Sequence, residues 1–421
     1  MPEWLQQASR KCDEHQQPSD GTALHAADRW LLRFVFTVQL QQRYKPPVAY
    51  RSHLYALLYC SLAGLHTPAA AEQPLTAPRF TGSSSCASSS CHGGGEGKNQ
   101  SLTWLRKDFH SRAHAILSTN RSARMAETLG LGDPRQSARC TVCHSPQQAL
   151  PGARFVAGAV RDEGVSCETC HGPAEPWLLF HTRRDVTHEQ RVAAGMRELV
   201  NFHGRANACI ACHLNIDADL VRAGHPEMFF ELDGQVAAQP PHWTDAGTWL
   251  GPRAWLVGQA TALREMSWKL SHAQDPELFA RWQALGWLLR QNRSGPRLPD
   301  GADFRAMQTA AERLARAAAA EDFTREKVLA LLRTYGSLAA EFREKAAPAP
   351  ELRRRGEVLV LAVDRLWAGL KTNAGAASPQ LDSALEVLAQ LSRAQAAFTP
   401  DRYAAALEQV EVALERGVGG W

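Results

Sequence analysis

The C-terminal part of the chain has a helical pattern of apolar positions. From Trp249 onward, apolar side chains recur at intervals of three and four residues, as Leu256, Ala260 and Leu263 do, and this spacing is typical of one face of an α-helix. Pro, Ser, Thr or Asp lies near several of the predicted helix starts, as helix starts prefer. Six or seven helices joined by short links favour an antiparallel bundle. Helices are predicted over residues 253–272, 276–291, 304–318, 324–345, 352–370, 379–391 and 400–414.

Residues 72–234 have a different pattern. Residues 82–97 are rich in Ser and Gly and predict a loop, whereas residues 101–117 place apolar side chains at helical spacing. The remainder of this region is polar and irregular, with no room for a large sheet. The fold class predicted is therefore mainly α, with little regular sheet. Three segments are expected: a leader over residues 1–71, a first domain over residues 72–234 and a helical domain over residues 235–421, with Pro240-Pro241 near the boundary.

Composition narrows the function only slightly. The chain has 421 residues, is 44% hydrophobic and carries a formal net charge of +4, which is too small to favour a nucleic-acid partner. No stretch of the mature chain has transmembrane length. The cysteines are more informative. Eight of the ten fall in four short motifs, which leaves Cys12 and Cys60, both upstream of the first domain.

The four cysteine motifs each end in histidine. They are Cys86-Ala-Ser-Ser-Ser-Cys91-His92, Cys140-Thr-Val-Cys143-His144, Cys167-Glu-Thr-Cys170-His171 and Cys209-Ile-Ala-Cys212-His213. The last three are Cys-x-x-Cys-His, the attachment pattern of c-type haem, and the first has two extra residues between its cysteines. Two thiols bond to one porphyrin, and the following histidine supplies an imidazole nitrogen to its iron. The sequence thus predicts four covalently bound haem c groups.

Zinc is the competing interpretation of these motifs. Two Cys-x-x-Cys knuckles can close a tetrahedral structural zinc site. Such a site does not require histidine directly after the second cysteine, whereas haem attachment does. The four histidines therefore favour haem.

The leader predicts export. Arg51 precedes an apolar run over residues 54–65, and Ala69-Ala70-Ala71 follow, as in a secretory signal peptide. Cleavage after Ala71 would make Glu72 the mature N-terminus. A signal peptide over about residues 48–71 implies that translation begins near Val48. An N-terminal anchor that also uses residues 30–40, and lipidation at Cys60, are weaker alternatives.

The motif order resembles the cytochrome c-554 family. The similar segments include Asp108-Phe109-His110-Ser111-Arg112-Ala113, the three Cys-x-x-Cys-His motifs with their flanks, and His181, over roughly residues 84–230. That family includes the tetrahaem electron acceptor of hydroxylamine oxidoreductase. Larger multihaem cytochromes share Ala223-Gly224-His225-Pro226 and Phe230-Glu231.

The resemblance implies which histidines complete the iron sites. His110 would face the haem on Cys167 and Cys170, and His181 the haem on Cys86 and Cys91. The haem on Cys140 and Cys143 would lack a second protein ligand. For the haem on Cys209 and Cys212, His225 is expected, with His272 as the alternative. The other histidines after Glu72 are His114, His188, His203 and His242.

Three functions are compatible with these features. The leading hypothesis is a periplasmic electron carrier that works with redox partner proteins, such as another cytochrome or a multihaem oxidoreductase. The second is an oxidoreductase that acts on a small nitrogen or sulfur compound at an open iron, with Asp162 or Glu163 as a proton donor. The third is an electron-transfer subunit of a larger multihaem complex. Whether the protein is an enzyme is left open by the sequence, and no catalytic residue is predicted.

Overall fold

The computed structural model describes residues 78–150, 154–214, 216–292, 295–343, 347–394 and 398–417. These residues form one compact unit within residues 74–421. The predicted signal peptide, the alternative anchor, Cys12 and Cys60 lie outside the described residues.

The described chain is mainly helical, which confirms the predicted fold class. Its one strand-like contact is an isolated parallel bridge between Phe80 and Phe155. In the described residues, no helix is both long and apolar enough to span a membrane. The α-helices are α1 Gln100–Lys107, α2 Asn120–Thr128, α3 Ala138–His144, α4 Pro146–Ala149, α5 Cys167–His171, α6 His188–Ala193, α7 Phe202–His213, α8 Ala218–Arg222, α9 Leu232–Ala238, α10 Leu250–Leu270, α11 Pro276–Arg290, α12 Phe304–Ala320, α13 Arg325–Gly336, α14 Ala339–Arg343, α15 Ala349–Ala374, α16 Pro379–Arg393 and α17 Pro400–Gly417.

The C-terminal helices that begin at Pro276, Phe304 and Pro379 start where the sequence predicts, because their capping residues satisfy free backbone N–H groups. Asp275 accepts a hydrogen bond from the Leu278 N–H at 3.0 Å, and Asp303 accepts one from the Ala306 N–H at 3.0 Å. Ser378 accepts from the Leu381 N–H at 3.2 Å. Side-chain oxygens at these positions stabilise a helix start by about 1 kcal/mol each.

Two predicted helices are interrupted in the structure. The helix expected over residues 101–117 ends at Lys107, because Asp108 is extended (ψ 126°) and its side chain caps the short 3₁₀ turn Phe109–Arg112. The helix expected over residues 324–345 stops at Gly336. A new helix, α14, then starts at Ala339 and buries Phe342.

Helices α10 to α17 enclose a continuous apolar core. Trp255, Tyr335, Leu366 and Trp367 are each at most 1% exposed within it. Helices α10 and α15 approach closely at Gly369, where an added Cβ would come 2.2 Å from the Pro252 Cγ atom. Only glycine fits at that contact, because carbon atoms of different residues pack at about 3.5–4 Å.

The helix that carries the fourth cysteine motif is part of this core. Phe202, Ala206 and Ile210 of α7 are buried in the same cluster as the bundle helices. Helix α9 packs there as well, with Leu232 fully buried. The expected boundary between residues 234 and 235 falls inside α9, and the division into domains stays a prediction.

Candidate haem sites

The first motif forms a tight loop that accommodates its two extra residues. The His92 N–H donates to the Cys86 carbonyl at 3.1 Å, and the Gly93 N–H donates to the Ser88 carbonyl at 3.0 Å. The backbone at Gly93 lies so close to the chain that an added Cβ would be 1.9 Å from the Ala87 oxygen. The loop therefore needs glycine at position 93 to bring His92 back beside the cysteines.

Each of the other three motifs is helical. The second motif ends α3, the third forms the whole of α5, and the fourth ends α7. Ser166 and Thr169 make reciprocal capping bonds at the start of α5. All eight cysteines of the motifs are free thiols, so they are available for attachment to a porphyrin.

The histidines of three motifs each face a second histidine ring. In every pair, one ring belongs to an attachment motif and the other comes from elsewhere in the chain. The pairs, with the distances between ring centres, are His92–His181 at 6.2 Å, His144–His225 at 6.3 Å and His213–His110 at 6.1 Å.

This separation fits two imidazoles on opposite sides of one iron. A metal–nitrogen bond of about 2 Å on each side, plus about 1 Å from nitrogen to ring centre, puts the centres about 6 Å apart. The angles between the ring planes are 15°, 71° and 80°, which span a wide range. Trans ligands can rotate about the metal–nitrogen bond, so the shared feature is the distance. The residues present thus fit axial ligation of haem at three of the four motifs.

Most rings of the three pairs have an oxygen acceptor at Nδ1, which leaves the Nε2 atom for a metal; His213, next to an amide nitrogen, is the exception. Such a bond fixes the tautomer and the orientation of a ligating histidine. His213 has its Nδ1 atom 3.2 Å from the Gln235 amide nitrogen. The carbonyl acceptors of the other rings are Gln100 Oε1 for His92 (3.1 Å), Ala113 O for His144 (2.8 Å), Trp177 O for His181 (3.2 Å) and Pro226 O for His225 (2.8 Å).

His110 differs from the others because its Nδ1 donates to a carboxylate. The acceptor is Asp108 Oδ1 at 3.0 Å, and the same oxygen accepts the His110 backbone N–H at 3.0 Å. The Gln239 amide donates to the second oxygen of Asp108 at 2.9 Å. Burial alone would raise the pKa of Asp108, but the bonds from His110 and Gln239 outweigh it and hold that pKa at about 2. Asp108 is therefore a buried anion next to His110.

Two of these pairings differ from those that the resemblance implies. His110 faces His213 of the fourth motif and not His171 of the third. His225 faces His144 of the second motif, the site expected to lack a second ligand, and not His213. The helix ends before Asp108, which sets His110 on a separate turn. The loop that carries His225 is fixed by a hydrogen bond that Arg121 Nε donates to the Gly224 carbonyl at 3.2 Å. The ring of His181 faces His92, as the resemblance implies, and the role of both residues as ligands stays a prediction.

His171 of the third motif has another environment. Burial lowers its pKa to about 4, and the next largest contribution comes from the charge of His242. Its backbone carbonyl accepts the Arg197 N–H at 2.8 Å. The three opposed pairs do not include His171.

Cysteines of different motifs contact one another. The neighbouring Cys86 and Cys167 thiols interact, which raises the pKa of Cys86 and lowers that of Cys167 to about 7. The neighbouring Cys143 and Cys212 thiols interact in the same way, which lowers the pKa of Cys143 and raises that of Cys212. Burial, followed by the charge of Cys209, raises the pKa of Cys170 to about 12. The first site is thus next to the third and the fourth next to the second, and the charge of Cys209 of the fourth motif acts on Cys170 of the third.

Most of the remaining histidines have ordinary partners. His272 was the alternative ligand for the fourth site, but its Nδ1 bonds to the Trp268 carbonyl at 2.8 Å and its ring packs on Trp268. His188 lies 2.7 Å from Glu198, and His203 lies 3.2 Å from Glu312. His114 has its Nδ1 atom 3.9 Å from Asp162.

Several functional residues have no clear signature in the sequence. Glu168, between the cysteines of the third motif, is 2% exposed and accepts hydrogen bonds from the backbone N–H groups of Thr81, Gly82 and Ala174. It joins the chain before the first motif to the third motif. Asp108 has a partial signal, because an aspartate two residues before a histidine can cap the turn that carries it. Nothing in the sequence separates Glu168 from an exposed glutamate.

Comparison with known proteins is consistent with this geometry. Residues 85–172 match the family model described as cytochrome c554 and c-prime. The match supports a c-type cytochrome, which carries covalently bound haem c and takes part in electron transfer. Proteins of this kind are commonly exported. No curated protein and no solved structure matches the chain.

The zinc alternative has no support in the described residues. A structural zinc site needs four ligands around one ion. Among the residues the structure describes, there is no group of three or more His, Cys, Asp or Glu side chains that could hold an ion.

Proposed function

We propose that this protein is a periplasmic tetrahaem c-type cytochrome that passes electrons between redox partner proteins. When bound, the haems supply the one-electron chemistry. The chain attaches each of them through two cysteines, provides axial histidines and holds the attachment sites in contact with one another. The helical C-terminal region supports the fourth site, because α7 is packed into its core.

The observation that carries the proposal is the set of three opposed histidine pairs. In each pair, the second histidine would fill the position where a substrate would have to reach the iron. Ring centres 6.1–6.3 Å apart fit two imidazoles on one iron, which favours electron transfer over binding of a small molecule. Histidines 110, 181 and 225 as second ligands would thus favour an electron carrier.

The cysteine contacts support an order for the four sites. The contacts Cys86–Cys167 and Cys143–Cys212 each join two attachment sites, and Cys170 and Cys209 link those two pairs. The order first, third, fourth, second places the first and second sites at the ends. Redox partners are expected to approach the protein near these ends.

The enzyme alternative loses its main basis. It requires an open iron at Cys140 and Cys143, but His225 faces His144 there. Glu163, one of its suggested proton donors, accepts the Ser83 backbone N–H at 2.9 Å and so has a structural role. Export to the periplasm rests on the predicted signal peptide and on the oxidative compartment in which c-type haem is attached.

Spectroscopy of the purified protein tests the proposal. We expect low-spin iron with two histidine ligands at the paired sites, and no turnover of hydroxylamine or nitrite with an electron donor or acceptor. His225→Ala should create one high-spin iron that binds nitric oxide. The matched control is His188→Ala, which removes a half-exposed histidine paired with Glu198 and should leave the spectrum unchanged. A wild-type protein that turns over a nitrogen compound would refute the electron-carrier function.

A further inference from the structure

We propose that two glutamines at helix α9 orient both axial histidines of the fourth haem, and that the helical C-terminal region sets the reduction potential of this haem through them. The glutamines are Gln235 and Gln239, and the histidines are His213 and His110. This inference rests on the proposed function and deepens it, because it assigns positioning residues to one iron. Gln239 directly follows α9 and its N–H donates to the Gln235 carbonyl at 3.0 Å, so the two side chains lie one turn apart on one side of the helix.

Gln239 acts on His110 through Asp108. The Gln239 amide donates to one oxygen of the Asp108 carboxylate at 2.9 Å, and the other oxygen of that carboxylate lies 3.0 Å from His110 Nδ1. Asp108 is only 3% exposed, so Gln239 takes the place that water would have at a solvated carboxylate. Its donated bond fixes the plane of the carboxylate and takes up part of the negative charge that would otherwise act on the His110 ring.

Gln235 contacts His213 directly. Its amide nitrogen lies 3.2 Å from His213 Nδ1 and 3.2 Å from the Phe229 carbonyl, whereas its Oε1 atom is buried without a partner in the described residues. In this orientation Nδ1 has to accept, which leaves the ring proton of His213 on Nε2, the atom that should bind iron. Half a turn of the amide satisfies both groups, because Oε1 then accepts the Nδ1–H of His213. Phe229 is 60% exposed, so its carbonyl can bond to water instead.

Helix α9 is fixed to the C-terminal core. Leu232, at its start, is fully buried in the cluster that the bundle helices form. Glu231 caps the helix by accepting the Gly234 N–H at 2.7 Å, and the same carboxylate oxygen accepts a bond from Arg365 of α15 at 3.0 Å. Glu231 and Arg365 are both buried, which makes this anchor rigid. Helix α7, which ends at His213, is packed into the same core, so the bundle fixes both the histidine and the helix that orients it.

The two contacts should act on the reduction potential in opposite directions. A group that accepts the Nδ1–H of a ligating imidazole makes it a stronger donor to iron, which stabilises the oxidised form and lowers the potential. Gln235→Leu removes such an acceptor from His213, so the potential of the fourth haem should rise. Gln239→Leu removes a donor from Asp108, which then accepts more strongly from His110, so the potential of the same haem should fall.

A spectroelectrochemical titration of the haem-loaded variants measures these shifts. In Gln235→Leu and Gln239→Leu the same one of four potentials should move, upward and downward respectively, while the number of low-spin irons stays as in the wild type. The matched control is Gln259→Leu, which removes a buried glutamine bonded to the Phe230 carbonyl at 3.4 Å and should leave the four potentials unchanged. If Gln235→Leu does not fold, Gln235→Glu decides, because a carboxylate accepts more strongly and should lower the same potential.

Other outcomes separate the two proposals. Unchanged potentials in the variants at positions 235 and 239 would overturn the role of the glutamines, as would shifts of two different potentials or shifts in one direction. An equal shift in Gln259→Leu would reduce that role to packing and overturn it as well. A wild-type protein without covalently bound haem, or one that turns over a nitrogen compound, would instead overturn the proposed function.

Discussion

Replacing Asp108 by Asn should raise the reduction potential of one haem. Asp108 accepts the Nδ1–H of His110 at 3.0 Å and is only 3% exposed, so its charge lies in a poorly solvated place. A negative charge near an iron stabilises the oxidised form, and an anionic acceptor makes the imidazole a stronger donor. Asn keeps the shape and the acceptor oxygen but removes the charge.

The size of the effect follows from distance. With His110 as a ligand, the carboxylate lies about 7 Å from the iron, which gives about 2 kcal/mol at an effective dielectric constant of about 20. An energy of about 2.3 kcal/mol per elementary charge corresponds to about 100 mV. The reduction potential of the haem on Cys209 and Cys212, opposite His110, should therefore rise by about 100 mV.

A spectroelectrochemical titration resolves this shift. Four potentials are fitted for the wild type and for Asp108→Asn, and one should rise while the others move far less. Asp185→Asn is the control, because it removes the same charge from an exposed side chain paired with Arg183. If the largest shift in Asp108→Asn is no greater than in the control, the assignment of His110 as a ligand supported by a buried carboxylate is wrong.

Three further predictions concern haem loading and pH. Gly93→Ala should lower the haem count from four to three by mass spectrometry, because the added Cβ would lie 1.9 Å from the Ala87 oxygen; Gly95→Ala, with nothing within 4 Å, should retain four. Burial, and after it the charge of Glu231, raises the pKa of Asp233 from its usual 3.8 to about 6. The folded state therefore holds the carboxyl proton of Asp233 more tightly than the unfolded state, and it loses stability as the pH rises from about 3.8 to about 6. Asp233→Asn should thus stabilise the protein at pH 8 by up to about 3 kcal/mol and have little effect at pH 3.5, as measured by denaturant unfolding. Burial opposes ionisation of Glu312, but bonds from Arg264 and His203 outweigh it and lower its pKa to about 2. Glu312→Gln should cost about 1–2 kcal/mol at pH 7, after screening by solvent, and the cost should shrink as pH falls from about 4.5 towards 2; an equal cost at both ends of that range would contradict the ion pairs.

The helical fold follows from local rules that the sequence displays. Helix starts are local signals, as in Asp275-Pro276 and Ser378-Pro379. The capping side chain bonds only to the backbone of the next turn, and Pro suits the first helical position. The interruption at Asp108 was not predicted, because the apolar spacing of residues 101–117 continues across it. There the side chain of Asp108 competes for the backbone N–H of His110, and the contact with Gln239, distant in sequence, stabilises that arrangement.

The sequence alone identifies the residues that would attach each haem, whereas the histidines opposite them emerge only from the packing. A cysteine pair and its histidine are adjacent in sequence, so the chemistry of one porphyrin fixes their spacing. The second histidine comes from up to 103 residues away, as the pair His110–His213 shows, and only the packing of the chain selects it. The resemblance implies His225 at the fourth site, whereas the loop at Gly224, which is bonded to Arg121, brings its ring opposite His144.

The intact mass of the exported protein tests whether the chain carries four covalently bound haems. The full chain would be expressed with its leader in a bacterium that matures c-type haem, and the product purified from the periplasm. A tetrahaem cytochrome with a cleaved leader should have the mass of residues 72–421 plus four haems. A product that carries zinc and no covalently bound haem would contradict it.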